Sequence, residues 1–401
     1  MKFTDKQRLR SLREGYHRAF GGVPERYFSA PGRTELCGNH TDHQGGRVLA
    51  AAIDLDAVAA AAPNGTDEIL VKSLGYPICR VSLAQLEPEP SEAGTTQALV
   101  RGMAAGLRSL GHPLGGFNAY VESQVLPGSG LSSSAAFEVL MGTVMNHLFC
   151  GGDVSLQTVA ILAQRAENDF FLKPCGLMDQ MASAVGNLVA IDFSNSEKPR
   201  VAPLDYDFSA AGHALCILDS GASHADLTDE YAAIPRECGA VAAALGSRVL
   251  SQVPEEVFYR HLPSLRASCG DRAVLRAVHF YQEQSRVSGA VDALNARDFP
   301  KFLSLLRASG RSSWMYLQNV APAGAVREQA MAVTLALCDR LLGETGAFRV
   351  HGGGFAGTAQ ALVPLDRLEP FRDGVEAVLG RGACHVLHIR PQGGAELEVE
   401  A

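Results

Sequence analysis

At 401 residues the chain exceeds what one hydrophobic core ordinarily organises, and its 47% hydrophobic and 19% charged residues exclude a disordered polymer, so two domains are expected. A formal charge of −8 argues against nucleic acid as a main partner, yet leaves room for an anion held by a local arginine and a metal ion. Nine scattered cysteines without C-x-x-C read as reduced cytoplasmic thiols, and no stretch has the apolar run of a signal peptide or membrane span.

In chain order, "TDKQRLRSLREGYHRAFG" predicts an amphipathic helix closed by Gly21 and Gly22. "GRTELCGNHTDHQGG" (32–46) then gathers glycines, histidines, an arginine, a glutamate and an aspartate into a run too polar for a core strand. "GRVLAAAIDLDAVAAAAP" reads as a buried strand pair, although its alanines also permit helix. "FNAYVESQVLPGSG" alternates as a strand entering a glycine turn. "LSSSAAFEVLMGTVMNHLF" is apolar on nearly every face, which predicts a buried helix with serines at its N-terminal end.

"SLQTVAILAQRAENDFF" predicts a second helix, capped by Ser155, with an inward stripe of Leu156, Val159, Ala160, Ala163, Ala166 and Phe170. Glu167 falls at the stripe's edge: it is either a surface glutamate or a carboxylate that needs a partner. "KPCGLMDQMASAVG" is a turn and a short helix starting at Asp179, where a carboxylate is an ordinary N-cap or, held ionised by the helix dipole, a base or cation partner. Polarity and proline rise over 193–212, so the domains are expected at 1–200 and 201–401. Beyond that lie a strand in "HALCILDSG", helices from about 229 to 343, a strand–glycine loop–strand in "AFRVHGGGFAGTAQALVP", and a last strand in "ACHVLHIRP".

The sharpest local signal is "LPGSGLSSSAAFEV" (126–139). A strand, a glycine turn and a helix N-terminus aim unpaired N–H groups and the helix dipole outward, which suits phosphate, and serine hydroxyls suit a phosphate-bound magnesium ion. A plain helix cap is the simpler reading, but three successive serines exceed what a cap needs. It is neither a Walker loop nor G-x-G-x-x-G, since no G-K-[ST] occurs and Ser133 stands at the third glycine. "HGGGFAG" (351–357) matches the oxyanion motif of α/β-hydrolases, but no G-x-S-x-G occurs and the motif comes too late in the chain for an esterase.

Together and in this order, "GRTELCGNHTDHQGG", "PGSGLSSSAAFEV", "CGLMDQ" and "GGGFAG" resemble the galactokinase branch of the GHMP small-molecule kinases. The likeness spans nearly the whole chain, "RAVHFYQEQSRVSGAVDAL" included. It implies an α/β (α+β) fold with an N-terminal ribosomal-protein-like domain, a C-terminal ferredoxin-like domain and an active site in the cleft between them. The implied reaction is transfer of the ATP γ-phosphoryl group to the anomeric hydroxyl of a hexose, galactose in the first place. Asp179 matches the carboxylate facing that hydroxyl and Arg33 the arginine that neutralises the moving phosphoryl group.

Ser134 and Glu167 match ligands of Mg2+, and Pro127, Gly128, Ser129, Gly130, Leu131, Ser132, Ser133 and Ser134 match the ATP-phosphate loop. Gly352 to Gly354 match a stiff floor. Arg33, Asn39, His40, Asp42, Gly176, Asp179 and Tyr231 match sugar contacts, which would select one epimer by hydrogen bonding. The implied partners are a sugar and ATP, with no nucleic acid or membrane, in a cytoplasmic monomer or weak dimer.

The sequence departs from the family at Asn39, where a glutamate beside the galactose C6 hydroxyl is expected, and at Glu35, where an asparagine is expected. Either the two are swapped on a helical turn, Glu35 restoring the carboxylate, or a neutral pocket admits a C6-modified sugar such as galacturonate. The plant galacturonate kinases also lack that glutamate and share D-H-Q-G-G. Ala356 for glycine and "VAPAG" for a C-P-E-L-D-like stretch touch no chemical residue. A sugar- and ATP-binding sensor without catalysis is disfavoured by the intact "SSSAAFEV", Asp179 and Arg33.

Overall fold

A computed structural model describes residues 5–125, 130–195, 198–222 and 227–399. The first half contains α1 (Lys6–Phe20), β1 (Arg26–Cys37), β2 (Arg47–Pro63), β3 (Glu68–Ser73), β4 (Ile78–Ser82), α2 (Thr96–Ser109), β5 (Phe117–Ser123), α3 (Ser133–Phe149), α4 (Leu156–Arg165), α5 (Met178–Val185), β6 (Leu188–Asp192) and β7 (Arg200–Leu204). There follow β8 (His213–Asp219), α6 (Thr228–Ala244), α7 (Glu255–Arg260), α8 (Leu262–Cys269), α9 (Asp271–Asn295), α10 (Phe299–Ser312), α11 (Ala330–Leu342), β9 (Ala347–Val350), β10 (Thr358–Pro364), α12 (Leu368–Leu379), β11 (Cys384–Leu387) and β12 (Ala395–Leu397).

The fold is mixed α/β. An eight-stranded sheet runs β12-β1-β2-β5-β3-β4, with β6 and β7 attached to β2. The expected strand pair is a single long strand: β2 pairs β1 along one edge and both β6 and β5 in succession along the other. Its alanines favour helix intrinsically, but pairing on both edges overrides that preference. Their small side chains also let α3 and α5 lie close against the sheet.

A second sheet, β11-β8-β10-β9, is antiparallel throughout. On β8, Cys216 and Leu218 face a core with Leu335, Cys338, Phe371 and Val375, whereas Leu215 and Ile217 face the large core that includes Phe302 and Leu306. This period-two alternation places α11 and α12 on one face and α10 on the other.

The sheets do not part at residue 200. β7 (Arg200–Leu204) still pairs β6, and the C-terminal segment returns to the first sheet, Ile389 bridging Ile53 and β12 pairing β1. Residues on both sides of the expected 200/201 boundary, β7 and β12, therefore add strands to the first sheet. A three-residue strand such as β12 carries too little pattern to be seen in sequence.

α1 forms as expected, with Asp5 as its N-cap and Gly21 at its end. In α4, Ser155 caps through Thr158 N, but Leu156 is 39% exposed and drops out of the inward stripe. A π-helical turn, Ala166–Phe170, follows. Among the described residues no helix is long and apolar enough to cross a membrane.

Candidate active site

β1 carries Arg33 toward α5. Its register with β2 shifts between Pro31 and Arg33, a bulge that re-aims the side chain. Gly32 is needed there because a Cβ would stand 2.9 Å from the Leu131 carbonyl oxygen. Arg33 Nε and Nη2 then reach Asp179 Oδ1 and Oδ2 at 2.6 and 2.7 Å, a two-pronged charge-assisted pair. Arg33 Nη1 donates to the Gly130 carbonyl and the Ser132 hydroxyl donates to Asp179 Oδ2.

The simpler reading of a plain helix cap does not hold for Ser132. It sits at φ 57 with no side-chain bond to α3, its hydroxyl turned onto Asp179. Asp179 is not an N-cap either but lies in the first turn of α5. Its side chain is 31% exposed. Burial pushes its carboxyl upward, but the Arg33 charge and the bonds from Arg33 and Ser132 outweigh that and hold it below the usual range.

The polar run 38–46 is a tight turn braced by α9. Glu283 Oε1 accepts from Gly38 N at 3.0 Å, His279 Nε2 meets the Asn39 carbonyl at 2.9 Å, and Gln284 Oε1 accepts from Arg47 N at 2.8 Å. The turn sets His40 Nε2 3.0 Å from the Gly353 carbonyl and packs Asp42 on Gly176, where a Cβ would lie 1.7 Å from Asp42 Oδ2. Burial, reinforced by the charges of Asp179 and Glu35, lifts the Asp42 carboxyl to about 6. Burial likewise lowers His40 and takes His43 down to about 3, so both rings are neutral near pH 7. Tyr231 OH donates to the Gly354 carbonyl at 2.9 Å, and its ring lies over Gly353.

Asn39 and Glu35 do not form the swap on a helical turn. Glu35 lies on β1, not on a helical turn, and its Oε1 stands 2.8 Å from Arg349 Nη2 in a buried ion pair. Asn39 is fully buried; its amide donates to Glu35 Oε2 at 3.1 Å and the Gly352 carbonyl at 2.7 Å, and its oxygen accepts from Asn319 at 2.8 Å. The side chain expected to touch sugar has its hydrogen-bonding capacity consumed inside the protein.

Glu167 is no surface glutamate. It is 2% exposed, with Oε1 3.3 Å from Ser134 Oγ and 3.0 Å from Lys173 Nζ. Gln180 Nε2 donates to its Oε2 at 2.8 Å. Leu131 is a core residue whose carbonyl accepts from Arg33 N at 3.1 Å, and Ser133 opens α3 beside Ser134. Pro127, Gly128 and Ser129 lie outside the described residues.

A galactokinase galactose-binding signature matches residues 14–63, and a GHMP kinase N-terminal domain matches residues 98–187. The galactokinase of Streptomyces coelicolor is 31% identical over 390 residues, 95% of this chain and 96% of its own. The chain belongs to the galactokinase family. The Mycobacterium tuberculosis galactokinase is 33% identical over 360 residues, 87% of this chain and 92% of that one. The crystal structure of Lactococcus lactis galactokinase complexed with galactose matches at a TM-score of 0.82 and 27% identity, covering 97% of this chain and 100% of that one. A mevalonate kinase, at 13% identity and a TM-score of 0.64, shares the fold alone.

This galactokinase-family site also enlists residues that no motif reading singled out for it. Lys173 reaches Glu167, while Glu138 and Gln180 lie behind it, and Glu283, Asn319 and Arg349 support the polar turn. Burial and the Glu167 charge raise the Glu138 carboxyl well above its ordinary range. The available signal was polar residues inside apolar helix patterns, Glu138 in α3 and Glu283 in α9, which demand buried partners.

Proposed function

We propose that the chain is a galactokinase, moving the γ-phosphoryl group of ATP to the anomeric hydroxyl of galactose. The observation that carries this reading is the Arg33–Asp179 pair, set at the first turns of α3 and α5 beside the polar turn 38–46. Asp179, held ionised, accepts a hydrogen bond from the sugar C1 hydroxyl and orients it. So acidic a carboxyl is a weak base, which suits a loose phosphoryl transfer in which the nucleophile needs little activation. Arg33 spreads positive charge where the transferring group passes.

The residues present fit a magnesium ion. Ser134 Oγ and Glu167 Oε1 converge to 3.3 Å, and Mg2+ ordinarily takes few protein oxygens, completing its shell with phosphates and water. When bound, the ion neutralises charge on the ATP phosphates. Lys173, 62% exposed on its side chain, is free to swing from Glu167 to the phosphates. The α3 N-terminus and the Gly130 turn cradle those phosphates. His40, Asp42, Gly176 and Tyr231 hold the sugar. Asn39 acts on it only through the backbone it fixes, and the Glu35 charge is spent on Arg349.

Two lobes with the cleft between them, in a cytoplasmic monomer or weak dimer with all nine cysteines free, complete the reading. A coupled ADP-release assay over galactose, galacturonate, glucose, N-acetylgalactosamine and arabinose tests it. Galactose turnover is expected; galacturonate turnover without galactose turnover overturns it, as does ATP binding with no sugar-dependent ADP release.

A further inference from the structure

Behind Glu167 lies a buried relay. Gln180, on α5 and fully buried, has one amide nitrogen with two hydrogens, and both are donated: 2.8 Å to Glu167 Oε2 and 3.1 Å to Glu138 Oε2. Glu138, on α3, is fully buried and touches neither the Arg33–Asp179 pair nor Ser134 by hydrogen bond. The Glu167 acceptor on the nitrogen side opposes the flipped amide, which would press its carbonyl against that carboxylate oxygen. With Oε2 of Glu167 pinned from behind, Oε1 faces Ser134 at 3.3 Å and the exposed Lys173 at 3.0 Å.

We infer that Glu138 is a positioning residue that acts through Gln180 to fix the rotamer of Glu167 and so sets the affinity for the nucleotide's magnesium ion. This rests on the reading of Ser134 and Glu167 as cation ligands. Outer-sphere hydrogen bonds of this kind ordinarily contribute about 10–100-fold to metal affinity or activity. The role needs only that Oε2 accept, so a glutamine at 138 serves and a leucine does not.

The test is calorimetric titration of ATP into the full chain without sugar, once with Mg2+ and once with EDTA, so that the Mg2+-dependent gain in affinity is read apart from turnover. Glu138→Leu and Gln180→Leu should each cut that gain about 10-fold while leaving the EDTA affinity near wild type. Each single leucine leaves one buried partner unpaired and should cost stability, so the EDTA affinity is the control for an intact site. Glu138→Gln should keep most of the gain, and the double leucine variant should lose no more than Gln180→Leu alone, as residues in series do. Glu167→Ala should abolish the gain. If it does, and Glu138→Leu behaves as wild type or adds fully to Gln180→Leu, the relay is refuted and the cation site stands. A gain that survives Glu167→Ala refutes both.

Discussion

Arg33 and Asp179 are far apart in sequence, yet each completes the other. The guanidinium keeps the carboxylate ionised, and the carboxylate fixes the fork at the mouth of the glycine turn. Asp179→Asn should therefore lower kcat by about 10^3-fold with ATP affinity retained, checked by turnover and by ATP titration. Asp42 gives a pH test. Its carboxyl is pushed up to about 6, so above that pH it is a charged acceptor for sugar hydroxyls and below it the charge is lost and one oxygen becomes a donor. kcat/KM for galactose should fall as pH drops through about 6, while Asp179, shifted the other way, stays ionised. Asp42→Asn should lower the plateau and remove that limb from the pH–rate profile. At this scale the sequence named Arg33, Asp179, His40 and Asp42 through motif position, but not that Asn39 faces inward, because Asn319 and Gly352, which hold it, come from distant segments.

The elements show why spacing alone misjudges side-chain direction. The stripe in α4 was legible from Val159 to Ala166, but the π-helical turn at Ala166–Phe170 inserts a residue and changes which face follows. Glu167, four residues after the buried Ala163, continues the inward face of α4 into that turn. The late glycine loop is similarly exacting. Gly354 has φ +82°, and a Cβ there would stand 2.2 Å from the Asn319 carbonyl oxygen. Gly354→Ala should cost at least about 2 kcal/mol in urea unfolding, from left-handed backbone strain plus the collision. It should also raise KM for sugar, because the same loop receives His40 and Tyr231.

For the whole molecule, the C-terminal segment is the structural tie. Arg390 Nη1 donates to Ser29 and to Asp56 at 2.7 and 2.8 Å, and Gly394 N donates to the Ala184 carbonyl at 3.2 Å at the far end of the helix that bears Asp179. Among the described residues, Arg390→Ala leaves the buried Asp56 carboxylate with Ser29 and Arg8 as side-chain partners. It should destabilise the fold by about 3 kcal/mol, as loss of one partner of a buried ion pair ordinarily does. KM should not move, which thermal unfolding and kinetics on the same sample would verify. Ending the chain after His388 should do worse, removing β12 and the Gly394 contact together.

The sequence by itself determined the local chemistry: an anion-seeking glycine–serine turn, a carboxylate opening α5, an arginine in a polar run, and apolar helices and strands to carry them. These are written in short-range spacing, where a few neighbouring residues set backbone and charge. Only the tertiary structure decided the rest: β2 as one strand, the return of residues 389–399, the inward Asn39, and Glu138 behind Glu167. Each depends on which distant group fills a buried hydrogen bond, ion pair or strand edge, and no local pattern records a partner that lies beyond its own element.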